Sequence, residues 1–259
     1  MNNTINGLSI VATPIGNLED ITYRAVKVLE GCDIIICENP KHSLKLLNKL
    51  GIKKKLIALH DYNEQKIIDQ IKNFLKMKSC VLISDAGSPL ISDPGYNLVQ
   101  YCINNNIKVT SVPGPSSVIS ALQLSGLPLS EFIFYGFVPK SKNKLEELIK
   151  IISKENRTSI LFVSSHKLIF FLESLERIIP DRSIAICKEL TKINEFVFRG
   201  ISKNVKKYIM QKKDNLKGEF VAVIDKQTLK NQDYEEIDLY KQELKKMATK
   251  FSLTDIVEI

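Results

Sequence analysis

The 259-residue sequence has no tryptophan, three histidines and five cysteines, and no apolar run approaches the roughly 18 residues of a membrane span. No transmembrane helix is expected. The odd set Cys32, Cys37, Cys80, Cys102 and Cys187 shows no C-x-x-C spacing and sits mostly inside apolar runs such as Ile34-Ile35-Ile36-Cys37, which predicts reduced thiols packed as small hydrophobes. His42, His60 and His166 are too widely spaced for a local zinc site, so no metal is expected. Met1 to Ile10 lacks a basic segment, a long apolar stretch and a small-residue cleavage site, which points to a cytoplasmic rather than a secreted protein. G-x-G-x-x-G, G-x-x-x-x-G-K-[ST] and G-x-S-x-G are all missing, which removes the usual dinucleotide, P-loop and α/β-hydrolase signatures.

What is present has globular proportions, with 44% hydrophobic and 25% charged residues. The net charge of +8, from 37 basic against 29 acidic residues, makes an anionic partner worth considering, although charge alone favours a solvated lysine face. Short β-branched runs alternate with segments of helical period. Strands are predicted at 8–12, 33–37, 56–59, 80–84 and 107–112, with helices at 21–30, 41–50, 63–76 and 96–105 between them. Asp61 and Glu64 are spaced as a capping pair for the third helix. Such alternation implies a largely parallel sheet covered by helices.

Pro113-Gly114-Pro115 interrupts the pattern, and Ser116 is placed to cap a helix over 116–125. Strands follow at 132–136, 158–163, 183–188, 195–200 and 218–224, with helices near 144–153, 168–178 and 204–211. The expected organisation is an α/β fold of two α/β domains, 1–113 and 114–226, with a helical tail over 227–259. Some antiparallel pairing is expected in the second domain.

Three turn-rich loops follow predicted strands. They are Thr13-Pro14-Ile15-Gly16-Asn17, then Asp85-Ala86-Gly87-Ser88-Pro89 continuing through Ser92-Asp93-Pro94-Gly95, and Pro113-Gly114-Pro115-Ser116-Ser117. Ligands of open α/β sheets bind at the carboxyl ends of strands, so these loops mark the expected site. Each alone is ordinary turn chemistry. A helix starting after Pro115 also directs its N-terminus at the cleft, a place suited to a carboxylate.

The stretches Val11 to Thr22, Ser84 to Tyr96, Val112 to Ser117, Ser125 to Pro128, Gly136 to Lys140, Glu189 to Lys192, Arg199-Gly200 and Lys217 to Glu219 occur in the order found in a known family. The sequence resembles the bacterial 16S ribosomal RNA cytidine 2′-O-methyltransferases, of the tetrapyrrole methylase fold. The resemblance spans roughly Leu8 to Asp225. It implies two α/β domains with S-adenosylmethionine folded into the cleft between them, a homodimer, and 16S rRNA within the small ribosomal subunit as substrate. By motif, Ile15, Gly16, Asp85, Ala86, Ser88, Ser116, Ser117, Val163, Leu190 and Gly218 are the cofactor-binding positions. An Asx-turn role competes with ligand binding for Asp85. The chain departs from the family at Glu38-Asn39-Pro40-Lys41, usually Asp-Thr-Arg, and at Val163-Ser164-Ser165-His166-Lys167, usually Glu-Ser-Pro-His-Arg. By the same resemblance, the family's C-terminal helical appendage is expected to be shortened here.

Methyl transfer from a sulfonium needs alignment first and a proton acceptor second. Glu189, Lys192, Glu38 and His60 are the candidates for the acceptor, with Glu189 and Lys192 preferred; Lys192 needs a depressed pKa, and Glu189 acts directly or orients it. A surface or interdomain ion pair is the alternative role for both. Lys41, Lys45, Lys49, Lys53 to Lys55, Lys140, Lys142, Lys144 and Lys167 are candidate RNA contacts, and phosphate contacts of this kind position RNA without reading its sequence. Methylation of a tetrapyrrole precursor or a diphthine intermediate, and a non-catalytic rRNA-binding assembly factor, are the competing functions.

Overall fold

The computed structural model describes residues 6–227, and among them ten strands form two five-stranded sheets. The first contains β1 (Gly7–Val11), β2 (Ile34–Cys37), β3 (Lys55–Ala58), β4 (Ser79–Ile83) and β5 (Val109–Val112), in the order β3-β2-β4-β1-β5 with every pairing parallel. β2 and β4 are buried at every position, as sheets covered on both faces require. Their side chains alternate between two cores. Ile34, Ile36 and Leu82 pack on α3 (Glu64–Met77) and α4 (Tyr96–Asn104). Ile35, Cys37, Val81 and Ile83 pack on α1 (Tyr23–Gly31) and α2 (Pro40–Lys49). All five cysteines are free and buried.

The second sheet joins β6 (Phe132–Phe137), β7 (Thr158–Ser164), β10 (Glu219–Ile224), β8 (Ser183–Lys188) and β9 (Phe196–Ile201), in that order. Only β6 and β7 pair in parallel; the remaining pairs are antiparallel, a larger share than the sequence suggested. Helices α6 (Lys142–Ser153), α7 (Leu168–Ile178) and α8 (Ser202–Met210) cover one face around Phe171, the bulkiest of the fully buried side chains. The other face is covered by α5 (Ser117–Ser125), whose Val118, Ala121 and Leu122 meet Ile160, Ala185 and Val223. Ile15, from the loop after β1, enters this same cluster and ties the first half to the second.

The predicted cap at Asp61 is replaced by a different arrangement. Asn63 stands at the N-cap without a side-chain cap bond, its Oδ1 accepting instead from the His60 amide at 2.7 Å. Glu64 is buried, and its carboxylate accepts from Asn97 Nδ2 at 2.7 Å and from the Leu98 amide at 3.2 Å. The Glu64 side chain therefore caps α4, a long-range partner outcompeting the local one. The expected helical tail lies beyond the described residues, apart from its first residue, 227.

Candidate active site

β1 and β4 are neighbours, so the loops that leave their carboxyl ends lie side by side. An isolated antiparallel bridge joins Thr13 to Gly87, with amide-to-carbonyl bonds of 2.9 and 3.0 Å, and Thr13 Oγ1 donates to the Ser84 carbonyl at 3.2 Å. A third loop arrives from β5 through Pro113 to Pro115, and Ser88 Oγ donates to the Pro115 carbonyl at 3.5 Å. Facing these loops, β7 and β10 of the second sheet present Phe162, Val163, Phe220 and Val221. The result is a cavity of about 440 Å³ between the two sheets, within the ~300–1,000 Å³ range of small-molecule sites.

Ile15, Asp85, Ala86, Ser88, Ser116, Ser117, Val163, Leu190 and Gly218 all line this cavity. Gly16 does not. It faces the turn after β8, where a Cβ would lie 2.5 Å from Lys192 Cγ and 2.9 Å from the Leu190 carbonyl oxygen. Asn17 completes this junction, its amide donating to Thr191 Oγ1 at 3.0 Å. The absence of a side chain at Gly16 thus permits the close approach of the two halves.

Glu189 and Lys192 stand behind the wall. Lys192 Nζ lies 2.9 Å from Glu189 Oε1 and 3.0 Å from Glu219 Oε2, and Glu189 Oε1 also accepts from the Glu219 amide at 2.9 Å. Burial alone pushes the Glu189 pKa up, but the hydrogen bonds from Lys192 and the Glu219 amide outweigh it and hold the carboxyl below its ordinary value. For Lys192, burial pulls the pKa down, and its bonds to Glu189 and Glu219 reverse this to a net rise. Proton acceptance by Lys192 needs the opposite shift; in this structure its ammonium bridges Glu189 and Glu219. All three residues belong to the second half, so the ion pair is local to that half and does not join the two. Glu189 and Thr191 hold left-handed backbone, φ 50° and 64°, and Gly218 has φ 109° with room for no Cβ, since one would meet the Glu189 carboxyl at 2.7 Å. Behind Gly218 lies a more polar depression of about 510 Å³ that includes Lys188, Asp214 and Lys217.

Asp85 makes no Asx-turn bond; its Oδ1 accepts from the Asn39 amide at 3.2 Å, fastening the start of α2 to the cavity loop. Asn39 in turn caps α2, its Oδ1 accepting from the Lys41 amide at 3.1 Å, with Pro40 in the first helical turn. The cap at Ser116 differs from the sequence reading, because its side chain makes no cap bond and α5 opens toward the cavity with its hydroxyl free for other partners. Lys41, Lys140 and Lys142 are exposed, whereas Lys167 is half-buried and donates to the Val138 carbonyl at 3.0 Å.

Sequence reasoning did not single out Asp93, which it read as part of a turn. It lines the cavity, flanked by the left-handed residue Ser92 (φ 71°), with Leu90 (φ 74°) two residues before. Burial, then the neighbouring Glu38 carboxylate, with a smaller contribution from Asp85, pushes its pKa up to about 6. Burial and Asp85 also raise that of Glu38, which His60 partly opposes. Crowding of like charge across three loops has no signature in the linear sequence. Phe137 and Ile91, both largely exposed, form the lip.

Fold and site together define a two-sheet α/β protein with a small-molecule cavity, acidic on one side and apolar on the other, at the strand ends. The profile of the tetrapyrrole (corrin/porphyrin) methylases matches residues 7–205, and the chain belongs to that family of S-adenosylmethionine-dependent methyltransferases. Among similar proteins, the ribosomal RNA small subunit methyltransferase I of Thermotoga maritima is 47% identical over 74% of this chain and 87% of its own. The protein of that name from Escherichia coli O157:H7 is 37% identical over 89% and 82%. Solved structures share the fold: diphthine synthase at 17% identity and a TM-score of 0.64, covering 88% of this chain and 93% of that one, and cobalt precorrin-4 methyltransferase at 16% and 0.61, covering 85% and 94%.

Proposed function

We propose that this protein transfers the methyl group of S-adenosylmethionine to the 2′-hydroxyl of a cytidine in 16S rRNA, within the small ribosomal subunit and as a homodimer. The observation that carries the substrate is the 47% identity to a ribosomal RNA small subunit methyltransferase I over most of both chains. The cavity fits the cofactor on chemical grounds. Asp85 offers negative charge to a cationic ligand, the open N-terminus of α5 at Ser116 and Ser117 suits a carboxylate, and Val163, Leu190 and Val221 offer an apolar bed for an adenosine. Bound there, S-adenosylmethionine supplies an electrophilic methyl group. The protein's part is to hold the acceptor oxygen in line with it and to exclude water.

Lys41 and Lys45 on the exposed face of α2, with Lys140 and Lys142 at the start of α6, supply the positive surface for RNA phosphates. Methylation of a tetrapyrrole precursor or diphthine is carried by the same fold, but the relatives with those names share 16–19% identity and speak for fold alone. The deciding experiment incubates the protein and labelled S-adenosylmethionine with undermethylated small subunits, free rRNA and tetrapyrrole precursors. Label on a cytidine ribose of the small subunit is the expected result. Label on a base or a small molecule rejects the substrate, and absence of cofactor binding in a thermal-shift titration rejects the methyltransferase and favours an assembly factor.

A further inference from the structure

Four titratable side chains line the cavity: Asp85, Asp93, Cys187 and Glu219. Three are committed or unsuited to taking a proton during catalysis. Asp85 Oδ1 is occupied by the Asn39 amide, and its carboxylate anchors α2. Cys187 is wholly buried in the core cluster beneath α5, and burial pushes its thiol up to about 12. Glu219 is largely exposed and paired with Lys192 at 3.0 Å. Asp93 differs from all three. It faces the cavity, is half-buried, and among the described residues has no salt-bridge partner. The groups that face it are the Glu38 carboxylate at the end of β2, Asp85 on its own loop and the Ser84 hydroxyl; His60 and Asp61, after β3, act on Glu38, and Glu219 faces from the second sheet.

Resting on the methyltransferase reading above, we propose that Asp93 is the catalytic proton acceptor for the ribose 2′-hydroxyl. The hydroxyl oxygen forms the new bond to the methyl carbon as the carbon–sulfur bond breaks, and that electron pair stays on sulfur as a neutral thioether. The O–H bond breaks toward the Asp93 carboxylate, which later releases the proton to water. The balance closes with S-adenosylmethionine as the only co-reactant. Proton affinity near neutrality suits this task, because a carboxylate that keeps its proton only below about pH 6 is free at working pH yet more basic than an ordinary aspartate. The same crowding that raises this affinity comes from Glu38 and Asp85, which makes Glu38 a tuning residue rather than the acceptor.

The test uses the full chain in single-turnover methyl transfer to small subunits from about pH 5 to about pH 9, with cofactor affinity measured in parallel. The wild-type rate is expected to fall about tenfold per pH unit below the inflection near 6 and to level above it. Asp93→Asn is expected to lose at least about 100-fold in rate, without the inflection and with cofactor affinity within about threefold. Asp93→Ala is expected to regain rate with added formate, a response that misfolding does not produce. Asp93→Asn turnover near the wild-type rate with the inflection intact overturns the assignment alone, as does an Asp93→Ala protein that binds cofactor but ignores formate. A wild-type protein that binds the cofactor and labels no ribose overturns the methyltransferase substrate first and this assignment with it.

Discussion

Asp93 and Gly218 make opposite demands on the chain. A carboxylate whose folded pKa is raised from 3.8 to about 6 favours the fold below its unfolded value and withdraws that support as pH rises through 6. Asp93→Asn is therefore expected to stabilise the fold at about pH 8, by roughly 1 kcal/mol after allowance for solvent screening, and to be neutral near pH 4. Thermal melts at the two pH values check the sign. Gly218 admits no side chain, so Gly218→Ala drives a methyl into the Glu189 carboxyl and destabilises by ~1–3 kcal/mol. Calorimetry should find a lowered transition and weaker cofactor binding together, since Gly218 also borders the cavity. The positions of the cavity loops were legible in the sequence because turn residues after apolar runs announce themselves. The placement of Glu189 and Lys192 was not, because whether an ion pair lines a cavity or stands behind it depends on a third residue, Glu219, that is thirty positions from Glu189 in sequence.

At the scale of elements, α2 joins two tasks. Its capping residue is bonded to Asp85 while Lys41 and Lys45, four apart, share its exposed face. Replacing both with glutamate is expected to weaken RNA binding and to reduce the salt dependence of log affinity by about 0.7 to 0.9 for each phosphate no longer neutralised. Filter binding across a salt series measures this, and cofactor affinity should stay constant. The strands and helices were readable to within a residue or two because period and burial agree: β2 is apolar throughout and is buried throughout. The Asp61 cap fails for a physical reason. Glu64 fits a local capping pattern equally well, but in the fold its carboxylate is claimed by α4, and nothing in the sequence around Glu64 signals that partner.

The whole molecule depends on how its two sheets meet. Ile15, 8% exposed, sits in the core cluster of α5, β8 and β10 while forming part of the cavity wall. Ile15→Ala is expected to cost ~2–5 kcal/mol and, because this side chain packs between both sheets, to broaden the thermal transition. S-adenosylmethionine at about 100 times its dissociation constant should stabilise the wild type by ~2.7 kcal/mol and the variant by much less. Differential scanning calorimetry with and without cofactor separates the two effects. Two sheets were expected from the Pro113-Gly114-Pro115 break and the second run of strands; the wedge at Ile15 was hidden, since an apolar residue in a turn reads as exposed until its neighbour across the gap is known.

A joint that doubles as a pocket wall also limits how the protein can let go of its product. Hinging the halves apart would pull Ile15 out of its socket and separate Gly16 from Lys192, so the spent thioether is expected to leave past the exposed Ile91 and Phe137. Trimming Phe137 is then expected to speed release without loosening the joint at Ile15, as product-release kinetics would read.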